Sequence, residues 1–373
     1  MMFFMPRSPR QRTRRKVAFS IVLMAMVFGG AEALCRWTLP PAGPVHVLKP
    51  GLRWAQPPNQ RNTPWGEVRS GTEFFVSTDA DGLRLPFPDT AYVPDDDDRT
   101  TIVYLGDSII FGWGIRDIEA IPSQLEYTLR MREPQHQYQV INGGQPGYSS
   151  MQSFLLYMHV LAQYKPDHVV LQLAEHNLSP RTTPDSQSLS VDATTAWNLK
   201  LLGASRLYRE MHKHIVNWMA GPPKSTSDAP VSLTQLLKQK GSLQTKNHHE
   251  PSTPLSVQSR VPPEELREIL EAMSHMAQDL GFHLSVYFEG KGRPHEELAP
   301  WTDVIDELEA QQKLAHLQIY DELQWALRNQ PSLFLAHDPG HYNPFGARVF
   351  AEIIANALTR PASNTAAAPN PSQ

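Results

Sequence analysis

Cysteine is nearly missing from this 373-residue chain, in which Cys35 is the single example. That excludes an intramolecular disulfide framework and a multi-cysteine zinc site, so stability has to come from packing. A surplus of positive charge is missing as well. Lys and Arg number 34 against 38 Asp and Glu, a formal net charge of −4, and outside the extreme N-terminus nothing offers the basic surface that nucleic-acid binding needs. Charged residues make up 19% and hydrophobic residues 40%, which excludes both a highly charged disordered chain and a polytopic membrane protein. Proline, by contrast, is abundant at 33 residues and predicts long irregular connections.

One long apolar run does occur, at the start. Arg7, Arg10, Arg12, Arg14, Arg15 and Lys16 precede Val17–Ala31, which carries no charge before Glu32 interrupts near Leu34. Val17–Leu34 lies at the short limit of a bilayer-spanning helix, roughly 17–25 residues, and is long for a signal-peptide core of about 7–15. Ala31-Glu32-Ala33 has the small-x-small pattern of a signal-peptidase site, whereas Leu34 before Cys35 does not suit a lipoprotein site. An uncleaved signal anchor over residues 1–37 is the expectation, with a cleaved signal as the alternative. The basic cluster then lies on the cytoplasmic side and the remainder outside the cytoplasm.

Residues 38–100 are rich in Pro and turn formers, with a strand expected at Glu73–Ser77, and end in the acidic run Asp95–Asp98, which lacks the alternating ligands of a calcium loop. They read as an N-terminal extension lying on the core. From Thr101 the pattern changes to short apolar runs between helical stretches: Thr101–Leu105, Ile121–Arg130, Tyr138–Ile141, Ser150–Gln163 and His168–Leu173. Such alternation implies an α/β fold with a parallel sheet and helices on both faces. The segment Ser179–Val261 breaks the rhythm and reads as an insertion around one helix, Ala196–Met219, with His248-His249-Glu250 exposed to solvent. The rhythm resumes with a helix over Pro262–Leu280, a strand His283–Phe288, a helix over Thr302–Arg328 and a last helix from Asn343-Pro344, where Asn can cap and Pro can take the first turn. The domain would run over 101–359 and leave 360–373 as a tail.

Four motifs fall at strand ends or in loops. They are Gly106-Asp107-Ser108, Asn142-Gly143-Gly144-Gln145-Pro146-Gly147, Glu175-His176-Asn177 and Asp338-Pro339-Gly340-His341. In an open α/β sheet ligands bind outside the carboxyl ends of the strands, which is where these turns lie. Ser108 can serve as a nucleophile, His341 as the base that takes its proton, and Asp338 as the carboxylate that orients the imidazole. The N–H groups of Ser108 and Gly147, with a side-chain donor from the third loop, can form an oxyanion hole. Bland readings stand beside these: Ser108 as a helix cap, Asp338 as a turn residue, Gly144 and Gly147 as turn formers. His337 lacks the spacing for the catalytic pair. The residues around Ser108 do not match the Gly-x-Ser-x-Gly elbow of α/β-hydrolases.

In order and context the four motifs resemble the SGNH/GDSL hydrolase superfamily, specifically its bacterial members with an N-terminal membrane anchor. The resemblance spans about residues 70–180 and 262–358. It includes the lead-in Thr78-Asp79-Ala80-Asp81-Gly82-Leu83-Arg84 and the Gly112-Trp113-Gly114 that follows the serine. It implies a flavodoxin-like three-layer sandwich with a five-stranded parallel sheet and no metal or organic cofactor. By motif, Ser108 would be the nucleophile, Gly147 an oxyanion donor, and Asp338 and His341 the remaining pair. The third motif departs from the family's Gly-x-Asn-Asp. Alignment on the strand places His176 at the oxyanion asparagine and Asn177 at the next position, while a one-residue shift would present Asn177 instead.

The function this implies is an extracytoplasmic serine esterase or O-acyltransferase, anchored in the bacterial inner membrane and acting on acylated carbohydrates of the envelope. A catalytically weak polysaccharide-binding or scaffolding protein, with partners in an envelope assembly, is one alternative. A lipase- or thioesterase-like hydrolase is another.

Overall fold

The computed structural model describes residues 9–38, 54–65, 74–94, 98–173, 175–181, 185, 207, 211, 258–290, 293–330, 332–336 and 338–359. Two compact units partition the chain: Met1–Ala42 with Lys200–Ser256, and Gly43–Leu199 with Val257–Gln373. In the first, helix α1 covers Pro9–Thr38. Its stretch Ala18–Thr38 has a mean hydropathy of 1.9 and is long and apolar enough to cross a membrane. At 1.5 Å per residue these 21 residues reach about 31 Å, against about 30 Å of bilayer hydrocarbon. Glu32, the charge that interrupts the run, is paired one turn on with Arg36 at 2.7 Å.

The second unit is built on a five-stranded sheet, all parallel: β3 Arg99–Gly106, β4 Gln137–Gly144, β5 His168–Leu173, β8 His283–Phe288 and the two-residue β9 Ala315–His316, while β6 Pro180–Arg181 and β7 Gln258–Ser259 pair antiparallel in a separate ladder. Their order is β4-β3-β5-β8-β9, the 2-1-3-4-5 arrangement of a flavodoxin-like sandwich. Alternate residues on each strand face opposite layers. Val103 and Leu105 pack with helices α4 (Ser150–Leu156), α5 (Pro263–Leu280) and α6 (His295–Ala310). Ile102 and Tyr104 pack with α3 (Ile121–Arg132), α7 (Tyr320–Asn329) and α8 (Pro344–Thr359). The expected class is therefore observed.

Two expected helices are corrected. Ser150–Gln163 is regular only to Leu156, then widens over Tyr157–Leu161 and tightens over Ala162–Tyr164. Thr302–Arg328 is two helices, α6 and α7, with β9 between them. The break falls where Gln312 takes a left-handed φ of 59°, and the chain then pairs along β8 with Leu314 and Leu317 buried. Edge pairing and burial of these two leucines override the helical pattern. The proposed helix Ala196–Met219, the His248-His249-Glu250 group and His337 lie outside the described residues, apart from positions 207 and 211.

Residues 54–65 and 74–94 contribute an antiparallel strand pair, β1 Thr63–Trp65 with β2 Phe74–Val76, and place Leu83, Leu85 and Tyr92 in the core. Arg84, between two of these, has a fully buried side chain. All five of its N–H groups are used. Nε donates to Asp117 Oδ1 at 2.7 Å, Nη1 to the carbonyls of Phe111 and Gly112 at 2.8 and 2.5 Å, and Nη2 to those of Ile115 and Phe75 at 2.7 and 3.3 Å. The guanidinium also lies 4.9 Å from the centre of the Phe111 ring. Burial pulls the Arg84 guanidinium below its ordinary pKa, and the Asp117 carboxylate opposes that pull. A lysine could not reproduce this planar five-donor fork. Arg84→Met should lower unfolding free energy by about 3–5 kcal/mol, because Asp117 is left buried without its cation. Arg84→Lys should recover less than half of that loss. Chemical denaturation of the two variants measures both.

Candidate active site

Gly106 ends β3, and the chain turns at once into the short helix α2, Ser108–Phe111. Asp107 caps it, its Oδ1 accepting the Ile109 N–H at 2.9 Å. Ser108 is thereby lifted to the carboxyl end of the sheet, beside the strand where the order reverses. Below it, Gln172 Oε1 accepts the Asp107 N–H at 3.2 Å, and Gln172 Nε2 donates to the buried carboxylate of Glu289. Gly144, at the end of β4, permits the close approach of α2: a Cβ there would stand 2.1 Å from the Phe111 nitrogen.

His341 arrives from the other end of the domain. It lies in β11, Asp338–Tyr342, which pairs antiparallel with β10, Phe334–Leu335. Where the sequence suggests an open turn, the structure has this short ladder. Asn343 then caps α8: its Oδ1 accepts the Gly346 N–H at 2.8 Å, and Pro344 takes the first helical position, as expected. Ser108 Oγ is 2.8 Å from His341 Nε2, and His341 Nδ1 is 2.6 Å from Asp338 Oδ2. A carboxylate only accepts, so the proton of the neutral ring is on Nδ1 and Nε2 is the acceptor for the serine hydroxyl. Asp338 holds its own loop as well, its Oδ1 accepting the Gly340 N–H at 3.1 Å. Trp113 stands beside the imidazole, ring centres 6.1 Å apart.

Gln145–Tyr148 forms the neighbouring turn. The Gln145 N–H donates to Gly106 O at 3.0 Å and the Tyr148 N–H to Gln145 O at 3.1 Å. Gly147 sits in it with φ 79°, the left-handed value that a type II turn requires at this position. A Cβ there would meet nothing closer than Trp54 at 3.6 Å, so glycine is needed for its conformation rather than for space.

The two candidates of the third motif are separated. Glu175–Leu178 is a single 3-10 turn. Asn177 is fully buried, with its Oδ1 accepting the Ser150 N–H at the start of α4 at 2.9 Å. Its Nδ2 has no partner among the described residues. His176 is partly exposed, with Nε2 3.7 Å from Asp107 Oδ2, on the serine side of the turn. Asn177 thus anchors the start of α4, and His176 is the member of the pair next to the Ser108 loop.

Several residues around the site carry no signal in the sequence: Gln172, Glu289, Trp54, Asp185 and Arg260 are ordinary residue types outside any motif. Elsewhere, Asp306, Glu309 and His316 bring ligand atoms within 4.8 Å of one another. Those atoms serve each other, with His316 Nδ1 2.5 Å from Asp306 Oδ1 and the His316 N–H donating to Glu309 at 2.8 Å.

No family model matches the chain, and no curated protein matches it. Among solved structures, an alpha/beta hydrolase enzyme from the metagenome of Lake Arreo, Spain, is 13% identical, covering 72% of this chain and 97% of that one at a TM-score of 0.40. A lipase/acylhydrolase from Enterococcus faecalis is 16% identical, covering 69% and 95% at a TM-score of 0.39. A catalytic mutant of an acetylxylan esterase from Geobacillus stearothermophilus is 12% identical, covering 72% and 97% at a TM-score of 0.40.

The different burial of the paired residues gives opposite expectations for stability. Asn177→Ala leaves the Ser150 N–H without its acceptor and should cost about 1–3 kcal/mol in urea unfolding. His176→Ala, at a partly exposed position, should cost under about 0.5 kcal/mol.

Proposed function

We propose that the chain is a serine ester hydrolase of SGNH type that works through an acyl-serine intermediate. One observation carries this reading: Ser108, His341 and Asp338 form a continuous hydrogen-bonded relay, 2.8 and 2.6 Å, across 233 residues of sequence. In the first step His341 Nε2 takes the Ser108 proton as Oγ attacks the ester carbonyl carbon. The carbonyl oxygen becomes an oxyanion, stabilised by the N–H groups of Ser108 and Gly147 and by the third-loop side chain, for which His176 is the candidate. Collapse of the tetrahedral intermediate breaks the ester C–O bond. The departing alkoxide takes the proton back from His341, leaving an acyl group on Ser108. A second hydroxyl then repeats the sequence in reverse: water yields the free acid, and a sugar hydroxyl yields a new ester.

The proposed substrate is an acylated carbohydrate of the cell envelope. Support comes from the apolar helix α1 behind a basic cluster, which would hold the second unit outside the cytoplasm at the inner membrane. Two half-buried tryptophans, Trp113 beside His341 and Trp54 beside Gly147, offer aromatic surface suited to the C–H face of a sugar ring.

Full-length protein in detergent, treated with a fluorophosphonate probe and mapped by peptide, should carry the label on Ser108. Nitrophenyl acetate turnover should fall at least about 1,000-fold in Ser108→Ala and in His341→Ala. Label on another residue, or equal turnover in the wild type and Ser108→Ala, would remove the esterase reading and favour a carbohydrate-binding protein. His176→Asn reports the third donor: a loss of about 10- to 100-fold is expected if the imidazole is the group in use.

A further inference from the structure

The Gln145–Tyr148 turn has a weakness. Types I and II of such a turn share the same closing hydrogen bond and differ by a flip of the central peptide, here Pro146–Gly147. Pro at the second position and Gly at the third are compatible with either. A flip would reverse the direction of the Gly147 N–H while leaving the Tyr148-to-Gln145 bond intact. Nothing within the turn itself prevents that.

One side chain from a distant part of the chain does. Trp54 Nε1 donates to the Pro146 carbonyl at 3.2 Å. In a trans peptide the C=O and N–H are antiparallel, so holding that oxygen aims the Gly147 N–H the opposite way. Trp54 is itself held: its ring meets Tyr148 edge-on at 5.7 Å, and the Tyr148 hydroxyl donates to the Trp54 carbonyl. On the following peptide, Arg260 Nη1 donates to the Gly147 carbonyl at 2.7 Å. Arg260 is nearly fully buried and ion-paired, Nε to Asp185 Oδ2 at 2.8 Å, with Nη2 donating to Gln152 Oε1. The Ser149 hydroxyl donates to the same Asp185 oxygen at 2.6 Å. The Asp185 N–H also donates to the Arg260 carbonyl at 2.9 Å.

We infer that Trp54 is a positioning residue that locks the Pro146–Gly147 peptide in the orientation that presents the Gly147 N–H to the oxyanion, while Arg260 holds the Gly147–Tyr148 peptide that closes the same turn. The inference rests on the esterase reading above. Trp54→Phe keeps the ring and removes only the indole N–H. Trp54→Tyr also keeps an aromatic ring without the indole N–H.

The full-length protein in detergent is assayed with nitrophenyl acetate, and kcat is expressed per active site titrated to completion with fluorophosphonate. A merely structural role would reduce the number of titratable sites and leave kcat per site unchanged. The lock requires kcat per site to fall about tenfold in Trp54→Phe, with KM within about twofold. Inhibition by phenylboronic acid, whose adduct with the serine is tetrahedral, should weaken by a similar factor. Trp54→Tyr should shift both quantities in the same direction and serves alone if Trp54→Phe does not fold. Unchanged kcat per site and unchanged boronate affinity in the variants, beside Ser108-dependent turnover in the wild type, would overturn the lock and leave the esterase reading standing. Absence of Ser108-dependent turnover in the wild type would remove both.

Discussion

A guanidinium taken out of water needs every donor satisfied, and in this fold the acceptors for Arg84 are the backbone carbonyls of the loop that follows Ser108. Phe111, Gly112 and Ile115 turn their oxygens to one side chain, which is anchored in turn by Asp117. The geometry works in both directions. The loop solvates the cation, and the cation dictates the path of the loop. Burial pushes the Asp117 carboxyl up from its ordinary value, and the paired Arg84 opposes that push. Because the helix carrying Ser108 is a single turn, it has little cohesion of its own. Its direction is borrowed from Arg84 behind it and from the Gly144 backbone, against which it packs too closely for any Cβ.

The same dependence on distant groups recurs around the rest of the site. Asp338 and His341 sit on a strand of five residues that has only a two-residue partner, and Asn343 ties that ladder to the start of α8. The turn holding Gly147 is gripped by Trp54, more than 90 residues before it, and by Arg260, more than 110 residues after it. Each of these groups stands on a short element, and each short element is held by hydrogen bonds from side chains outside it. The sheet supplies a common floor at its carboxyl edge, and the side-chain ties set the angles above it.

Much of this floor was legible as periodicity. Thr101–Leu105, Tyr138–Ile141 and His283–Phe288 are short apolar runs bounded by turn formers, and each is a strand of the parallel sheet. The cap at Asn343-Pro344 was legible as well, because its chemistry is local: one side-chain oxygen, one N–H three residues on, one proline whose missing N–H is not needed. Reading failed where burial outweighed pattern. Residues 302–328 show helical spacing throughout, yet the middle of the stretch is a sheet edge, since Leu314 and Leu317 gain more from the core than from continuing a helix. The third motif was left open for a different reason. His176 and Asn177 are adjacent polar residues at a strand end, and only their opposite burial tells the buried anchor of α4 from the side chain facing the serine loop.

The amino-acid sequence alone determined the apolar N-terminal helix, the alternation that gives a parallel sheet under two helical layers, and the residue types assembled at its carboxyl edge. These are properties of spacing and composition within some ten to twenty residues, over which periodicity and capping act. Tertiary structure decided which oxygen meets which nitrogen: the serine with an imidazole 233 positions away, Arg84 with five acceptors, and the Pro146 and Gly147 carbonyls with Trp54 and Arg260. Hydrogen bonds act over about 3 Å and depend on direction, so their partners exist only once the whole chain has closed.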